Sequence, residues 1–236
     1  MIPELRQTAD LLYFAAKNHT MNFLVTAGPT FEPLDQVRRL TNFSTGRLGV
    51  ELAAYMADRG HRVTLLLSEQ ATFHKAMRGV EVVPFTTGAS LRDALEEQSK
   101  LAVEAVFHAA AVSDFKFGQV WRRDEQGELI PVQGSKISTR QGPLMAELVP
   151  TPKLITELRE FFPDGWLVGW KYEVDGDRAT LVAAAEAQIE ECRSSGCVIN
   201  GPAYGEGFGL VFHGERVIHT DDVRGLCAEL LRVLNT

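Results

Sequence analysis

The stretch TNFSTGRLG, residues 41–49, predicts the start of a helix that can hold an anion. Asn42, Ser44 and Thr45 are of the residue types that cap free backbone N–H groups, and Gly46 and Gly49 allow a ligand or a strand to come close. The preceding glycine is Gly28, in VTAGPT, so a long loop separates this helix from the strand before it. A long loop inside a compact domain is usually functional.

Apolar runs bounded by glycine alternate with helical patterns around this stretch. Strands are predicted at NFLVTAG, RVTLLLS, VEVVPF, AVFHAAAV, WLVGWKY and GCVIN, and helices over 46–59, 89–102, 152–162 and 178–193. This alternation is typical of a doubly wound α/β domain with a mainly parallel sheet. VWRRDEQGELIPV and FGLVFHGERVIHT predict additional hairpins around Gly127 and Gly214. We expect a docking helix over 1–20 and a single domain over 21–236, with translation starting at Met1 or Met21.

Composition excludes several classes of function. A net charge of -7 argues against a broad nucleic-acid surface, and no apolar run is long enough to span a membrane. The cysteines Cys192, Cys197 and Cys227 form no CxxC pair, and we expect reduced, buried thiols. The six histidines lack metal-ligand spacing, so no protein-held metal site is predicted. His108 ends an apolar run and is expected to be a core histidine.

The residues that follow the strands should form the site, because ligands bind beyond the carboxyl ends of parallel strands. A nicotinamide site needs G-x-G-x-x-G directly after the first strand and an acidic residue at the end of the second strand. Neither is present in that form. An NAD(P)-dependent short-chain oxidoreductase therefore stays only as an alternative.

The segment TAGPTFEPLDQVRRLTNFSTGRLG resembles the opening of the phosphopantothenate–cysteine ligase family. AAAVSDF, SKISTRQGPLMAELVPTPK and VGWKYE are similar to later motifs of that family, in the same order. The resemblance implies a Rossmann-like fold and a cytoplasmic homodimer. It also implies an enzyme of coenzyme A biosynthesis that joins 4′-phosphopantothenate to cysteine through an acyl-nucleotide. A non-catalytic nucleotide-binding protein of the same fold is the second alternative.

The chemistry of such a ligase gives the candidate residues their roles. A lysine and N–H donors would hold the crowded phosphates, and an amide would polarise the acyl carbonyl. The expected catalytic residues are Asn42, as that polariser, and Lys136, which could swing over the phosphates as its loop closes. The expected nucleotide-binding residues are Gly28, Ser44, Gly46, Gly49, Trp170, Lys171 and Asn200. The expected substrate-binding residues are Arg38, Ala110, Ala111 and Asp114.

The resemblance further implies that Arg38, with Arg39 as the other candidate, crosses to the neighbouring protomer and binds the substrate phosphate. The predicted helix over 178–193 lacks the lysines of the common bacterial fused enzyme, and Lys171 resembles the lysine of stand-alone forms. CTP and ATP therefore both remain candidates, each with Mg²⁺, and no FMN is expected. Structural alternatives stay open: a cap for Ser44 and Asp114, a turn for Asn42 and Asn200, core packing for Trp170, a solvated charge for Arg38 and Lys136, and a snorkelling side chain for Lys171.

Overall fold

The computed structural model describes residues 20–132, 134–138, 140, 142–214 and 217–235. The strands, numbered along the chain, are β1 (Asn22–Ala27), β2 (Phe31–Pro33), β3 (Arg39–Thr41), β4 (Arg62–Ser68), β5 (Val80–Phe85), β6 (Ala105–His108), β7 (Phe115–Arg123), β8 (Leu129–Pro131), β9 (Leu144–Pro150), β10 (Trp166–Tyr172), β11 (Gly196–Asn200), β12 (Phe208–Val211) and β13 (Ile218–Thr220). The helices are α1 (Arg47–Ala57), α2 (Gly88–Gln98), α3 (Leu154–Phe161), α4 (Arg178–Cys192) and α5 (Val223–Leu234). The docking helix expected over 1–20 lies, apart from Thr20, outside the described residues.

The main sheet has eight strands in the order β13-β12-β11-β10-β6-β1-β4-β5. The six strands from β5 to β11 in this order pair in parallel. β12 then pairs antiparallel with β11, and β13 antiparallel with β12. The prediction of a Rossmann-like, mainly parallel sheet is confirmed.

Helices cover both faces of this sheet, because the strand sequences are apolar on both sides. In β1, Phe23 and Val25 belong to a core cluster with residues of α1 and α5, such as Met56 and Leu230. Leu24, between them in sequence, belongs to a second cluster with residues of α2 and α3. Successive residues of one strand thus pack against opposite helical layers, which makes the sheet doubly wound.

Both predicted hairpins are present. β7 pairs antiparallel with β8 across the turn that contains Gly127, and β12 pairs with β13 across the turn that contains Gly214. The sequence-based assignment omits the β2–β3 hairpin, strand β9, which pairs with β7, and helix α5. Three-residue strands carry too little periodicity to be seen. Helix α5 could have been found, because Asp222 caps it and Leu226 and Leu230 repeat at helical spacing.

Helix α1 packs on β1 at the distance that only glycine allows. A Cβ atom added at Gly49 would lie 2.6 Å from the Cβ of Ala27 and 3.0 Å from the carbonyl oxygen of Thr26. Real Cβ atoms do not approach another carbon this closely, so any side chain here would push the helix off the strand. Gly49 therefore fixes where the first turn of α1 sits relative to the edge of the sheet.

Gly49→Ala should therefore destabilise the protein, although alanine is the better helix former. We expect the free energy of unfolding to fall by about 1–3 kcal/mol, the usual effect of overpacking a core, as measured by urea denaturation. Gly165→Ala is the matched control, because a Cβ there would meet its nearest neighbours at 3.5 Å, an ordinary contact. Equal stability of the two variants would contradict the close-packing explanation.

Candidate functional site

A cleft of about 1130 Å³ opens at the carboxyl ends of β6, β10 and β11, beside the N-termini of α1 and α5. This is where parallel α/β sheets bind ligands. Most of the site residues expected from the sequence line this one cleft, although they come from distant parts of the chain. These residues are Asn42, Ser44, Gly46, Gly49, Ala110, Ala111, Asp114, Trp170, Lys171 and Asn200.

The N-terminus of α1 is capped differently from the expectation. Gly46 is the N-cap, with φ 78°, and no side chain caps the helix. Thr45 Oγ1 instead accepts a hydrogen bond from the backbone N–H of Arg47 at 3.3 Å. Ser44 lies half-buried at the rim of the cleft. Because Gly46 has no side chain to cap the helix, the first-turn N–H groups of α1 beyond that of Arg47 can meet a ligand anion in the cleft.

Gly28 lies beneath this helix end and does not line the cleft. A Cβ at Gly28 would lie 2.8 Å from the Cβ of Ser68, and a Cβ at Gly46 would lie 3.4 Å from the Cα of Gly28. Gly28 also has a positive φ, 87°. Gly28 therefore lies under the turn at Gly46, at a place that has no room for a side chain beside Ser68.

Asn42 joins this turn to the loop after β6. Its Nδ2 donates to the backbone carbonyls of Ala111 at 3.2 Å and Val112 at 3.1 Å. Both amide hydrogens are engaged in this arrangement, so Asn42 must release one of them to donate to a substrate carbonyl. The same contacts bring Asn42 next to residues 109–112, the alanine loop, whose Ala110 and Ala111 are expected to bind the acyl substrate.

The alanine loop is fastened to β1 and the turn after it by backbone hydrogen bonds. The N–H of Ala111 donates to the carbonyl of Gly28 at 3.0 Å, and its carbonyl accepts from the N–H of Thr30 at 3.1 Å. The N–H of Ala110 donates to Thr26 Oγ1 at 3.0 Å. These contacts fix the loop in an extended form that exposes backbone and small side chains to the cleft.

His108 is a core histidine, as predicted. It is 6% exposed, and its Nδ1 lies 3.1 Å from Thr26 Oγ1. The same hydroxyl accepts from the N–H of Ala110, so Thr26 links the imidazole of His108 to the loop that follows β6. Burial lowers the pKa of His108 to about 4. The ring is therefore neutral and supports the alanine loop through Thr26.

The other wall of the cleft comes from the ends of β10 and β11. Trp170 and Lys171 are half-buried there, beside Asn200. Trp170 also packs against the core, and among the described residues its buried Nε1 has no hydrogen-bond partner. Trp170 thus combines the two roles that sequence analysis kept apart, core packing and a cleft wall.

The cleft contains charged and polar residues that sequence analysis did not assign. Arg47 forms a 2.8 Å ion pair with Glu51, and Arg224 lies exposed at the start of α5. Gln188 reaches the cleft from α4, and Phe43 stands fully exposed at its rim. Arg47 was visible as the basic residue of FSTGR, but Arg224 and Gln188 belong to helix faces that only the tertiary structure directs towards the cleft.

Arg38 and Lys136 do not line the cleft of their own chain. The guanidinium of Arg38 donates to the carboxylate of Asp35 and, at 2.7 Å, to the carbonyl of Ile137. Lys136 is exposed, and in this structure both residues beside it are held by hydrogen bonds rather than in a free loop. Arg39 lies over the ring of Phe31, with Cζ 4.9 Å from the ring centroid. The expected closing movement of Lys136 therefore starts from a tethered position.

Comparison with known proteins identifies the family. Residues 18–224 match the family model of the DNA/pantothenate metabolism flavoprotein C-terminal domain. The chain belongs to this family. The bifunctional coenzyme A biosynthesis protein CoaBC of Thermococcus kodakarensis is 36% identical over 178 residues, which are 75% of this chain and 40% of that protein. The chain thus spans less than half the length of this curated relative.

Solved structures share the fold. The DNA/pantothenate metabolism flavoprotein from Streptococcus pneumoniae superposes with a TM-score of 0.78 at 23% identity, covering 91% of this chain and 98% of that one. A Cab2 variant in complex with phosphopantothenate-cysteine gives a TM-score of 0.69 at 19% identity, covering 96% and 89%. At these identities the likeness shows a common architecture.

The cysteines of this member of the DNA/pantothenate metabolism flavoprotein C-terminal domain family agree with the prediction from the sequence. Cys192, Cys197 and Cys227 are free and buried, as predicted, and burial raises the pKa of Cys197 and Cys227 to about 12. Among the described residues, no group of three or more His, Cys, Asp or Glu is arranged to hold a metal ion. No helix in the described part of the chain is long and apolar enough to cross a membrane.

The burial of His108 should make the free energy of unfolding depend on pH. From about pH 6.5, its ordinary pKa, down to about 4, the unfolded chain binds a proton at this imidazole that the folded protein does not. The free energy of unfolding should therefore fall as the pH falls through this interval, with His108 contributing up to about 1.4 kcal/mol per pH unit.

Urea denaturation at several pH values checks this prediction. His108→Gln keeps a polar group beside Thr26 and removes the titration, so its stability should depend less on pH in this range. His74→Gln, at an exposed histidine, is the matched control. If both variants reduced the pH dependence equally, the burial of His108 would not be its cause.

Proposed function

We propose that this chain is a ligase that joins 4′-phosphopantothenate to cysteine through an acyl-nucleotide intermediate. The observation that carries the proposal is the convergence, in one cleft, of an uncapped helix N-terminus, Asn42, Lys171 and the alanine loop. The names of its relatives support it. CoaBC of Thermococcus kodakarensis is a coenzyme A biosynthesis protein, and the similar Cab2 structure contains phosphopantothenate-cysteine.

The chemistry requires a cleft of this kind. A carboxylate is not attacked by an amine until one of its oxygens becomes part of a good leaving group, which nucleotidyl transfer provides with release of pyrophosphate. The phosphates and the carboxylate bring several negative charges together. The N–H groups at the start of α1, with the cations of Arg47, Lys171 and Arg224, supply opposite charge in the cleft.

The nucleotide and the acyl substrate are assigned to different walls of the cleft. The indole face of Trp170 would stack on the base, Asn200 would bind the base or ribose, and Lys171 would contact phosphate. The alanine loop would hold the pantothenoyl chain against Ala110 and Ala111, with the exposed carboxylate of Asp114 free for its hydroxyl or amide group. CTP and ATP are both compatible with this assignment.

The metal fits this assignment as part of the nucleotide. Of the three cleft carboxylates, Glu51 is engaged with Arg47 and Asp222 with the N-terminus of α5. Asp114 alone is too few ligands for a protein-held Mg²⁺, so the ion would enter bound to the triphosphate. Bound there, Mg²⁺ would neutralise phosphate charge. The proposed reaction transfers no electrons, so it needs no FMN.

A homodimer in the cytoplasm belongs to the same proposal. The three-stranded β8-β7-β9 sheet carries exposed apolar side chains on both faces, Phe115 and Leu148 on one face and Leu129 and Met145 on the other. Exposed Val37 precedes Arg38 in the β2–β3 turn, which lies outside the cleft of its own chain. Covering one of these faces with a second copy would leave Arg38, or Arg39, to bind the substrate phosphate in the partner's site.

The direct test is to mix the purified protein with phosphopantothenate, cysteine, Mg²⁺ and either CTP or ATP, and to identify the products by mass. We expect phosphopantothenoylcysteine, pyrophosphate and the nucleoside monophosphate with at least one nucleotide. Nucleoside diphosphate and inorganic phosphate would contradict the acyl-nucleotide route.

Two binding measurements separate the alternatives. A non-catalytic protein of this fold would bind the nucleotide without turnover. An NAD(P)-dependent oxidoreductase would change NADH fluorescence on titration, although the long β2–β3 insertion between β1 and α1 leaves no short glycine-rich turn for a dinucleotide.

Asn42→Ala tests whether Asn42 acts only in the second half-reaction, the attack of cysteine on the acyl-nucleotide. If Asn42 donates to the carbonyl as cysteine attacks, the variant should still form the acyl-nucleotide but use it about a hundredfold more slowly, the usual effect of losing one such donor. The acyl-nucleotide should then accumulate in a rapid-quench experiment. Equal slowing of both half-reactions would show that Asn42 acts only by holding the loop at Ala111 and Val112.

A further inference from the structure

Asp35 occupies an unusual place in the β2–β3 turn. Its side chain is fully buried, 0% exposed, although the turn lies at the surface. One oxygen, Oδ1, accepts from the backbone N–H groups of Val37 at 2.9 Å and Arg38 at 2.8 Å. The other, Oδ2, accepts from the guanidinium of Arg38 and from the backbone N–H of Ile137 at 3.1 Å. A buried carboxylate is stable only with such a set of donors.

The contacts of Asp35 connect two segments that are about a hundred residues apart in sequence, since Ile137 is 102 residues away. The connection is reinforced on both sides of Lys136. The N–H of Gln36 donates to the carbonyl of Ser135 at 3.0 Å, and Arg38 donates to the carbonyl of Ile137 at 2.7 Å. The Ile137 side chain is itself buried, at 6% exposure. Lys136 is thus presented between two anchored neighbours.

We infer that Asp35 is a positioning residue that holds Lys136 and Arg38 together as one unit. The inference rests on the proposed function for the roles of the two cations, and on the contacts of Asp35 for their coupling. Asp35 fixes the backbone on the C-terminal side of Lys136 and the side chain of Arg38 through the same oxygen, Oδ2. Any movement that brings one cation to a substrate therefore carries the other cation with it.

The charge of Asp35 is essential to this arrangement. Its hydrogen bond to the Arg38 guanidinium holds the pKa of the Asp35 carboxyl well below its usual range, with further lowering by the backbone N–H groups. An asparagine in its place would direct an NH₂ group at donors on one side or the other. Asp35→Asn should therefore release Ile137 and Arg38, or break the turn at Val37, whereas Asp35→Glu keeps the charge and displaces the oxygens.

Limited trypsin digestion tests the anchoring independently of any enzymatic activity. Cleavage after Lys136 requires the segment to leave its anchors, so Asp35→Asn should accelerate that cut about tenfold or more, as for the loss of charged hydrogen bonds. The cut is identified by mass. Asp124→Asn is the matched control, since Asp124 also accepts two backbone N–H groups in a turn, from Gln126 and Glu128, without contacting residues 135–137.

A double-mutant cycle on kcat tests positioning. Asp35→Asn alone should lower kcat roughly 10- to 100-fold, the range for a displaced reacting group. With Lys136 already changed to Gln, the same Asp35 substitution should lower kcat less than about threefold, because the group that it positions is absent. A purely structural effect would lower kcat by the same factor in both backgrounds.

The outcomes are distinct. Unchanged cleavage after Lys136 in Asp35→Asn overturns the anchoring, and equal factors in the cycle overturn the positioning role. If the wild-type protein has no ligase activity, the proposed function and the positioning role both fail, while the digestion still decides the anchoring. If Asp35→Asn does not fold, as judged by circular dichroism, Asp35→Glu replaces it, with the same expected directions for digestion and cycle.

Discussion

The close approach of helix α1 to strand β1 is the constraint on which the rest of the site depends. Gly49 lets the first turn of α1 lie against Ala27, and the left-handed Gly46 lies against Gly28. Since the helix begins at the end of the strand, its free N–H groups open into the cleft and not onto bulk solvent. A larger residue at Gly49 would move the helix end away from the alanine loop and from Asn42.

A small hydrogen-bond network holds the alanine loop, which forms the wall of the cleft opposite the start of α1. Thr26 accepts from the N–H of Ala110 and lies beside the neutral ring of His108, while the Ala111 backbone bonds to β1's continuation on both sides. These hydrogen bonds tie the alanine loop to β1 and to the turn after it, which restricts the movement of the loop. The cleft is therefore bordered by fixed backbone on one side and a fixed helix end on the other.

The candidate site residues belong to two parts of the molecule. One part is the edge of the main sheet, with α1, the alanine loop, Trp170 and Lys171. The other is the β2–β3 turn joined through Asp35 to the segment that carries Lys136. The two parts do not meet within one cleft of the chain. A reaction that needs both requires either a movement of the second part or, as proposed above, a second copy of the chain.

The layered α/β order follows from the amino-acid sequence alone, because buried parallel strands must be apolar and their helices must end at glycine or polar residues. β4, β5, β10 and β11 have the bounds of the predicted runs. Most of the expected site residues also lie together in the cleft, as the sequence predicts, since strand ends meet at one edge of a parallel sheet. Short strands such as β2 and β3 could not be predicted from the sequence, because their stability comes from pairing and not from local pattern.

Other placements are visible only in the tertiary structure: Gly28 lies beneath the turn at Gly46, Gln188 and Arg224 face the cleft, and Arg38 and Lys136 lie outside it. Those placements depend on contacts between segments that are far apart in the chain, such as Asp35 with Ile137, and such contacts leave no periodic signal in the sequence.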